Sequence, residues 1–416
     1  MPADTPLSQL RASPPAIDAG TLLASLGATP TLRPPASLYI HVPFCFHKCH
    51  YCDFYSIVDT RDRQAEFTDR LMRELGALGD ACERPALSTI FVGGGTPSLL
   101  AVPLWEKLLR CLRERFDLSA LSEFTVECNP ETVTPELMQT LRGGGVDRVS
   151  IGAQSFNAAH LKTLERWHDP ANVFRAVELA RAAGITRQSM DLIFAIPGQS
   201  LAEWDADLQA ALGAGTTHLS CYALTYEPNT AMTARMKKGE FSQAPEDLEA
   251  DMFEHTLTTL RGAGLERYEV SNFAKPGEEC RHNLAYWRQH DWLAAGPNAS
   301  AHVRGLRWKN IQRLDDYLHK QVRDFAMVTD VETPDALRNL SERVWTGLRT
   351  AEGIDVAETR HTAQAAKPGV REAIDRVARR QMELGAVQEV DGRWRLTDRG
   401  FMIADAVAVA FLEVVE

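Results

Sequence analysis

From residue 37 the hydrophobic positions along the chain change period in a regular way. Short apolar or β-branched runs predict strands: "SLYIHV" (37–42), "STIFV" (88–92), "EFTVE" (123–127), "DRVSIG" (147–152), "SMDLIF" (189–194) and "THLSCY" (217–222). Each is followed by a stretch with helical spacing, at 63–79, 103–116, 135–145, 171–184, 201–215 and 247–264. Strands alternating with helices imply a parallel sheet with right-handed crossovers. Six such units form either an open doubly wound sheet or an incomplete barrel. The chemically distinctive residues decide between them. Cys45, Cys49 and Cys52 follow the first strand, "GGGTP" the second and Gln154 the fourth, while Glu127 ends the third and Asp191 lies in the fifth. A barrel gathers its strand ends at one mouth, whereas an open sheet would scatter them. The expected fold is therefore α/β, a partial (β/α)6 barrel over residues 34–265.

The flanks read differently. Residues 1–33 are rich in Pro and Ala and are expected to be a flexible tail, with a short helix at "TLLASLGA". Residues 266–330 read as a connecting segment that starts from a strand in "LERYEVSNFA" (265–274). Residues 331–416 show three helical patterns, a hairpin turned at Asp391–Gly392 and a last helix. That pattern suggests a smaller C-terminal α+β module resembling a winged helix. "GPNAS" (296–300) reads as a loop of close backbone approach.

Composition narrows the function. With 44% hydrophobic and 24% charged residues the chain is an ordinary globular protein. No apolar run nears the ~20 residues of a membrane span. The net charge of −11 argues against a nucleic-acid partner, so the C-terminal module reads as a packing or protein-contact surface. Three of the eight cysteines are clustered and five are scattered, which suits a reducing compartment and one metal site. The N-terminal residues lack the layout of a secretory signal, so a cytoplasmic location is expected.

The cluster "CFHKCHYCDF" has the spacing C-x3-C-x2-C, with Asp53 where a fourth thiol could stand. Zinc completed by His41, His47 or His50 is one reading, although structural zinc sites usually split their ligands into separated pairs. A 4Fe–4S cluster with one iron lacking a protein thiolate is the other, and the spacing favours it. The glycines of "FVGGGTPS" admit a ligand close to the backbone. The loop lacks the P-loop lysine and is not G-x-G-x-x-G, so its ligand is polar but not necessarily a phosphate.

C-x3-C-x2-C with Tyr51 before the last Cys, followed by GGGTP, resembles the radical S-adenosylmethionine (SAM) superfamily. That resemblance implies a 4Fe–4S cluster on Cys45, Cys49 and Cys52, with the amino and carboxylate groups of SAM on the open iron. It implies one-electron cleavage of SAM to a deoxyadenosyl radical, fed by an electron donor such as flavodoxin or ferredoxin if SAM is cleaved. Residues matching SAM-contacting positions are Tyr39, Tyr51, Gly94, Gly95, Thr96, Glu127, Gln154, Arg166, Asp191 and Ala223. Their chemistry suits SAM: carboxylates and an amide for hydroxyls and an ammonium, a guanidinium for a carboxylate. Read alone, Glu127 could equally cap a helix and Arg166 make a surface ion pair. Cys128 and Cys221 read as small buried hydrophobes.

The wider set "YIHVPFC", "GGGTPS", "ECNP", "GAQSF", "LERWH" and "DLIFAIPGQ", with "GLRTAEGID" (347–355), resembles the branch containing oxygen-independent coproporphyrinogen III oxidase. That oxidase resembles C-x3-C-x2-C-x-C, whereas Phe54 stands here at the fourth cysteine position, which counts against oxidase chemistry. "CDF" and "RHNLAYW" (281–287) instead resemble HemW-type heme chaperones. This implies heme as ligand and acceptor hemoproteins as partners. His282 is then a candidate axial imidazole, with Tyr286 and Trp287 packing the porphyrin. The alternative is that His282 and Asn283 satisfy backbone groups and the aromatics belong to the core.

Overall fold

The computed structural model describes residues 17–26 and 35–415. Its main sheet has twelve strands. In chain order they are β1 (Ser37–Val42), β2 (Thr89–Gly94), β3 (Glu123–Cys128), β4 (Arg148–Gln154), β5 (Arg187–Phe194), β6 (His218–Ala223), β7 (Glu266–Glu269), β8 (Asn272–Ala274), β9 (Trp292–Ala295), β10 (Ser300–Val303), β11 (Leu306–Asn310) and β12 (Val328–Glu332). Their order in the sheet is β12-β11-β10-β9-β1-β2-β3-β4-β5-β6-β8-β7. β1 to β6 pair in parallel with nearest neighbours, as the alternation of elements requires.

The strands carry two interleaved sequences. Leu38, Ile40, Val42, Ile90, Val92, Phe124, Val126, Val149, Ile151, Met190, Leu192 and Leu219 belong to one continuous core. The helices Gln64–Ala81, Val102–Arg115, Pro135–Gly143, Pro170–Ala182 and Leu201–Gly213 close that core through residues such as Leu71, Trp105, Met138, Val177 and Trp204. Each fully buried side chain of this size contributes about 1.5–3 kcal/mol. The alternate positions are mostly polar or small: Tyr39, His41, Gly93, Thr125, Glu127, Arg148, Ser150, Gly152, Ser189, Asp191, His218 and Ser220, with Phe91 and Ile193 the apolar members. They face one another across the concave side, where Ser150 Oγ donates to Asp191 (3.1 Å) and Ser189 Oγ lies 2.7 Å from His218 Nδ1. With a period of two, each strand gives its apolar half to the helices and its polar half to the interior.

Two boundaries differ from the sequence reading. Residues 266–330 are not a connector, because their strands extend the sheet at both edges. β8 covers β6 antiparallel, and β9 adds to β1 in parallel. Gly296, in the "GPNAS" loop, has φ +97°, and a Cβ there would lie 2.3 Å from the His41 carbonyl oxygen. Part of the expected tail is also docked. The helix Ala19–Ser25 starts at Asp18, whose carboxylate accepts the Thr21 N–H (3.0 Å), and buries Ala19 and Leu22 in the main core. The rest of residues 1–33 lies outside the described residues.

The C-terminal module runs helix Ala336–Leu348, strand Ile354–Asp355, helices Val356–Ala366 and Val370–Glu383, strands Val387–Val390 and Arg393–Leu396, then helix Ala404–Leu412. The strand Arg393–Leu396 lies between the other two, as in a winged helix. Asp391 (φ 52°) and Gly392 (φ 71°) turn the hairpin. Leu340, Val344, Ile374, Trp394 and Phe411 form the module's own core. "GLRTAEGID" makes its first turn and docks it, with the Ala351 N–H donating to the Tyr268 carbonyl (2.9 Å). Arg267 adds a clamp, donating to Asp398 (2.8 Å) and lying 3.7 Å over the Phe401 ring. Among the described residues no helix is long and apolar enough to cross a membrane.

Candidate functional site

The cysteine loop is held by backbone bonds before any metal is considered. The Gly95 N–H donates to the Val42 carbonyl (2.8 Å), Thr96 N–H to Phe44 (2.7 Å) and Ile57 N–H to Pro43 (2.8 Å). His41 fixes the far end of the loop. Its Nε2 lies 2.8 Å from the Tyr55 carbonyl and its Nδ1 3.1 Å from the Tyr39 hydroxyl. A carbonyl only accepts, so Nε2 carries the proton and Nδ1 accepts from Tyr39. Burial drives the His41 value down to about 4, which keeps the ring neutral. The same ring explains Gly94. This residue has φ +108°, and a Cβ there would lie 2.6 Å from the imidazole.

Cys45, Cys49 and Cys52 stand around a hollow of about 50 Å³ that also touches Tyr51, Gly95, Thr96 and Arg166. Among the described residues no three His, Cys, Asp or Glu side chains converge as a single ion would require. Thr96 Oγ1 is 3.4 Å from Cys45 Sγ, and Arg166 Nη1 donates to Cys49 Sγ at 3.7 Å. Burial pushes the Cys52 thiol up to about 11, so metal binding there displaces a proton.

A larger cavity of about 420 Å³ adjoins this hollow, within the range of small-molecule sites. It is lined by Tyr51, Gly94, Gly95, Thr96, Glu127, Gln154, Arg166, Asp191 and Ala223. The fold thus brings together nine residues scattered over the ends of all six parallel strands and their loops. Gln154 reaches it through a bulge in β4 with φ +65°, which turns a strand-end side chain inward. Glu127 accepts the Gly94 N–H (3.1 Å). Burial, and then the neighbouring Asp191, raise its carboxyl to about 7. Asp191 is itself raised by burial, against hydrogen bonds from Ser220 and Ser150. Arg166 donates to the Gly152 carbonyl (2.9 Å), while its buried Nε has no partner. Two buried carboxylates and a guanidinium with an unpartnered Nε suit a ligand bearing an amino group, a carboxylate and a positive centre. A cavity beside three free thiols fits SAM bound to a cluster.

Other lining residues were not singled out from the sequence. Ser150 and Tyr222 belong to the polar half of their strands, and that alternation was the available signal. Asn129, Ile193 and Glu227 also line the cavity. Tyr39 is not among its lining residues. Its hydroxyl is taken by His41 and its ring stacks on Phe91 at 6.3 Å.

His282 sits as the alternative reading has it, within the core of the fold. It lies not at the mouth but at the opposite end of the barrel. The helix Arg281–Trp287 packs under the starts of β2 and β3, and Glu123 accepts the Arg281 and His282 N–H groups (2.9 Å each). Thr89 Oγ1 donates to Ser37 and so accepts from His282 Nδ1 (2.8 Å), leaving Nε2 to accept from the Tyr286 hydroxyl (2.9 Å). The ring is 0% exposed, and burial lowers it to about 3. With both nitrogens engaged, His282 offers no free donor to a heme iron. Its ring stacks on Phe91 at 5.3 Å, so it packs the barrel floor.

The fold and this mouth define a radical SAM protein, and the Radical SAM superfamily model matches residues 39–211. In fold the chain is similar to coproporphyrinogen III oxidase (HemN) from Escherichia coli, a radical SAM enzyme. The TM-score is 0.80 and the identity 22%, over 94% of this chain and 92% of that one. Heme chaperone HemW of Lactococcus lactis is 32% identical over 382 residues, 92% of this chain and 98% of the relative. The HemW of Mycobacterium tuberculosis is 35% identical over 390 residues, covering 93% and 97%. That of Escherichia coli is 34% identical over 386 residues, covering 91% and 98%. The chain belongs to the HemW heme chaperone family.

Proposed function

We propose that this protein binds heme and passes it to acceptor hemoproteins, on a scaffold whose mouth holds a 4Fe–4S cluster and SAM. One observation carries the reading: the heme chaperones are 32% and 34% identical over 92% and 91% of the chain, whereas the likeness to the oxidase, at 22% identity, is one of fold. When bound, the cluster and SAM supply one-electron chemistry at a sulfonium. Cys45, Cys49 and Cys52 hold the cluster. Gly94, Gly95 and Thr96 offer backbone and hydroxyl groups to the methionine end of SAM. Arg166 pairs with its carboxylate, and Glu127 and Asp191 accept from its amino and hydroxyl groups. Gln154, Tyr51 and Ala223 complete the walls. The eight cysteines carry no disulfide, which fits a reducing compartment such as the cytoplasm. Anaerobic titration of cluster-loaded protein with hemin tests the reading: a saturable Soret band at one heme per chain supports it, and no band refutes it.

Glu127 makes SAM binding depend on pH. In the free protein its carboxyl ionises near 7, and a positive ligand favours the ionised form. Protons therefore compete with SAM below that value, and affinity is expected to fall about tenfold from about pH 8 to pH 6. Calorimetry on the anaerobic protein checks this, with Glu127→Gln weakening the dependence. A flat profile in the unsubstituted protein would exclude Glu127 from SAM binding.

The oxidase reading is tested by incubating the same preparation with coproporphyrinogen III, SAM and a reductant. Protoporphyrinogen is not expected, and its formation would add oxidase activity to the carrier.

A further inference from the structure

Among the described residues the exposed large hydrophobic side chains include four aromatics: Phe46 (39%), Phe54 (64%), Trp167 (58%) and Tyr222 (42%). All four stand around the mouth. Phe54 and Tyr222 line the cavity, and Phe46 and Trp167 line the cysteine hollow beside it. Exposed apolar side chains gathered around one opening mark a ligand site, whereas scattered ones do not. Trp167 is held flat, stacked on His47 at 3.9 Å with 12° between the rings, and its Nε1–H donates to Glu165 (3.1 Å). The rim also carries a cation. Lys48 Nζ is exposed and donates to the Phe54 carbonyl (2.6 Å) and Ser56 Oγ (2.9 Å), which leaves its third N–H for an incoming acceptor.

We infer that the mouth rim is the heme site. The macrocycle lies across Phe54 and Tyr222 with its edge toward Trp167 and Phe46, and a propionate meets Lys48. The inference rests on the heme-carrier reading and places it. A wide flat apolar face with carboxylates at its edge matches aromatic rings beside an ammonium. It also exceeds what the cavity beneath needs for SAM, whose partners lie deeper on Glu127, Asp191 and Arg166. The barrel floor is not available to it, because both nitrogens of His282 are engaged and its ring is fully buried.

Hemin titration of the full-length, cluster-loaded protein tests the assignment. Phe54→Ala and Tyr222→Ala are each expected to weaken hemin binding about tenfold, and the double variant more. Leu384→Ala, which removes an exposed apolar side chain of the C-terminal module, is expected to bind like the parent. Because Phe54 and Tyr222 are exposed, the variants should fold, and the cluster absorption verifies it. If the parent binds hemin and the double variant binds equally well, the site is elsewhere and the inference falls while the carrier reading stands. If the double variant binds hemin normally but delivers it poorly to apomyoglobin, the rim is a protein-docking surface and the assignment is again wrong. If the parent binds no hemin, the carrier reading fails and takes this one with it.

Discussion

Serine at position 49 is expected to strip the protein of its iron. Cys49 is the central cysteine of the triplet, 9% exposed, with the Arg166 guanidinium donating to its sulfur. Three thiolates on four irons leave one open, and a serine hydroxyl is a far weaker iron ligand than a thiolate. After anaerobic reconstitution the parent should carry about four irons per chain, and Cys49→Ser fewer than about one, with the visible absorption band lost. SAM affinity should fall with it, since its chelating groups lose their metal. His282→Gln is the contrast: iron content and SAM affinity should hold, because the floor of the barrel touches neither. A variant at Cys49 that keeps a full cluster would show that the metal sits elsewhere.

The second large effect lies at that floor. Glu123 is 1% exposed and accepts the first two N–H groups of the helix Arg281–Trp287, while Arg187 Nη2 lies 3.0 Å from its carboxylate. Burial opposes its charge, but Arg148, the two amides and Arg187 outweigh burial and hold the carboxyl below its ordinary value. Glu123→Ala leaves two arginines with a lost counter-charge and a helix start with orphan donors. The expected cost is about 3–5 kcal/mol, read as a lower urea midpoint. The pH dependence has a definite sign. A carboxyl with a depressed folded value stabilises fully above its unfolded value of about 4.5, and this is lost as pH falls through the lower folded value. Glu123→Gln should therefore flatten the acid limb of the stability profile. An unchanged limb would assign it to other carboxylates.

The parallel strands were legible because the hydrophobic period switches cleanly at each one, and the cysteine spacing and glycine loop announced the mouth. The polar lining was harder to read. "SLYIHV" looks like one apolar strand, and only the barrel reveals that Tyr39 and His41 face inward while Leu38 and Ile40 face helices. Strands β9 to β12 were missed: β9 pairs with a partner far away in sequence, Trp292 meeting Ser37, and β10 to β12 are strands of four or five residues that pair with their sequence neighbours. For the "RHNLAYW" motif the sequence left two readings open, a heme contact or a place in the core, and the structure buries it at the end away from the cysteines. Nothing local in seven residues tells a helix which opening of a barrel it will close, and Glu123, which decides it, stands at the start of a distant strand. Phe54 was noticed for the cysteine it replaces, and only the fold shows it projecting over the mouth.

That closed floor has a kinetic meaning. With His282, Glu123 and Tyr268 buried at one end, the interior and the rim share the doorway at the other end among the described residues. On the sites proposed above, loading would be a queue with a compulsory order: the nucleoside cofactor would enter first and leave last, and a seated heme would lock it in.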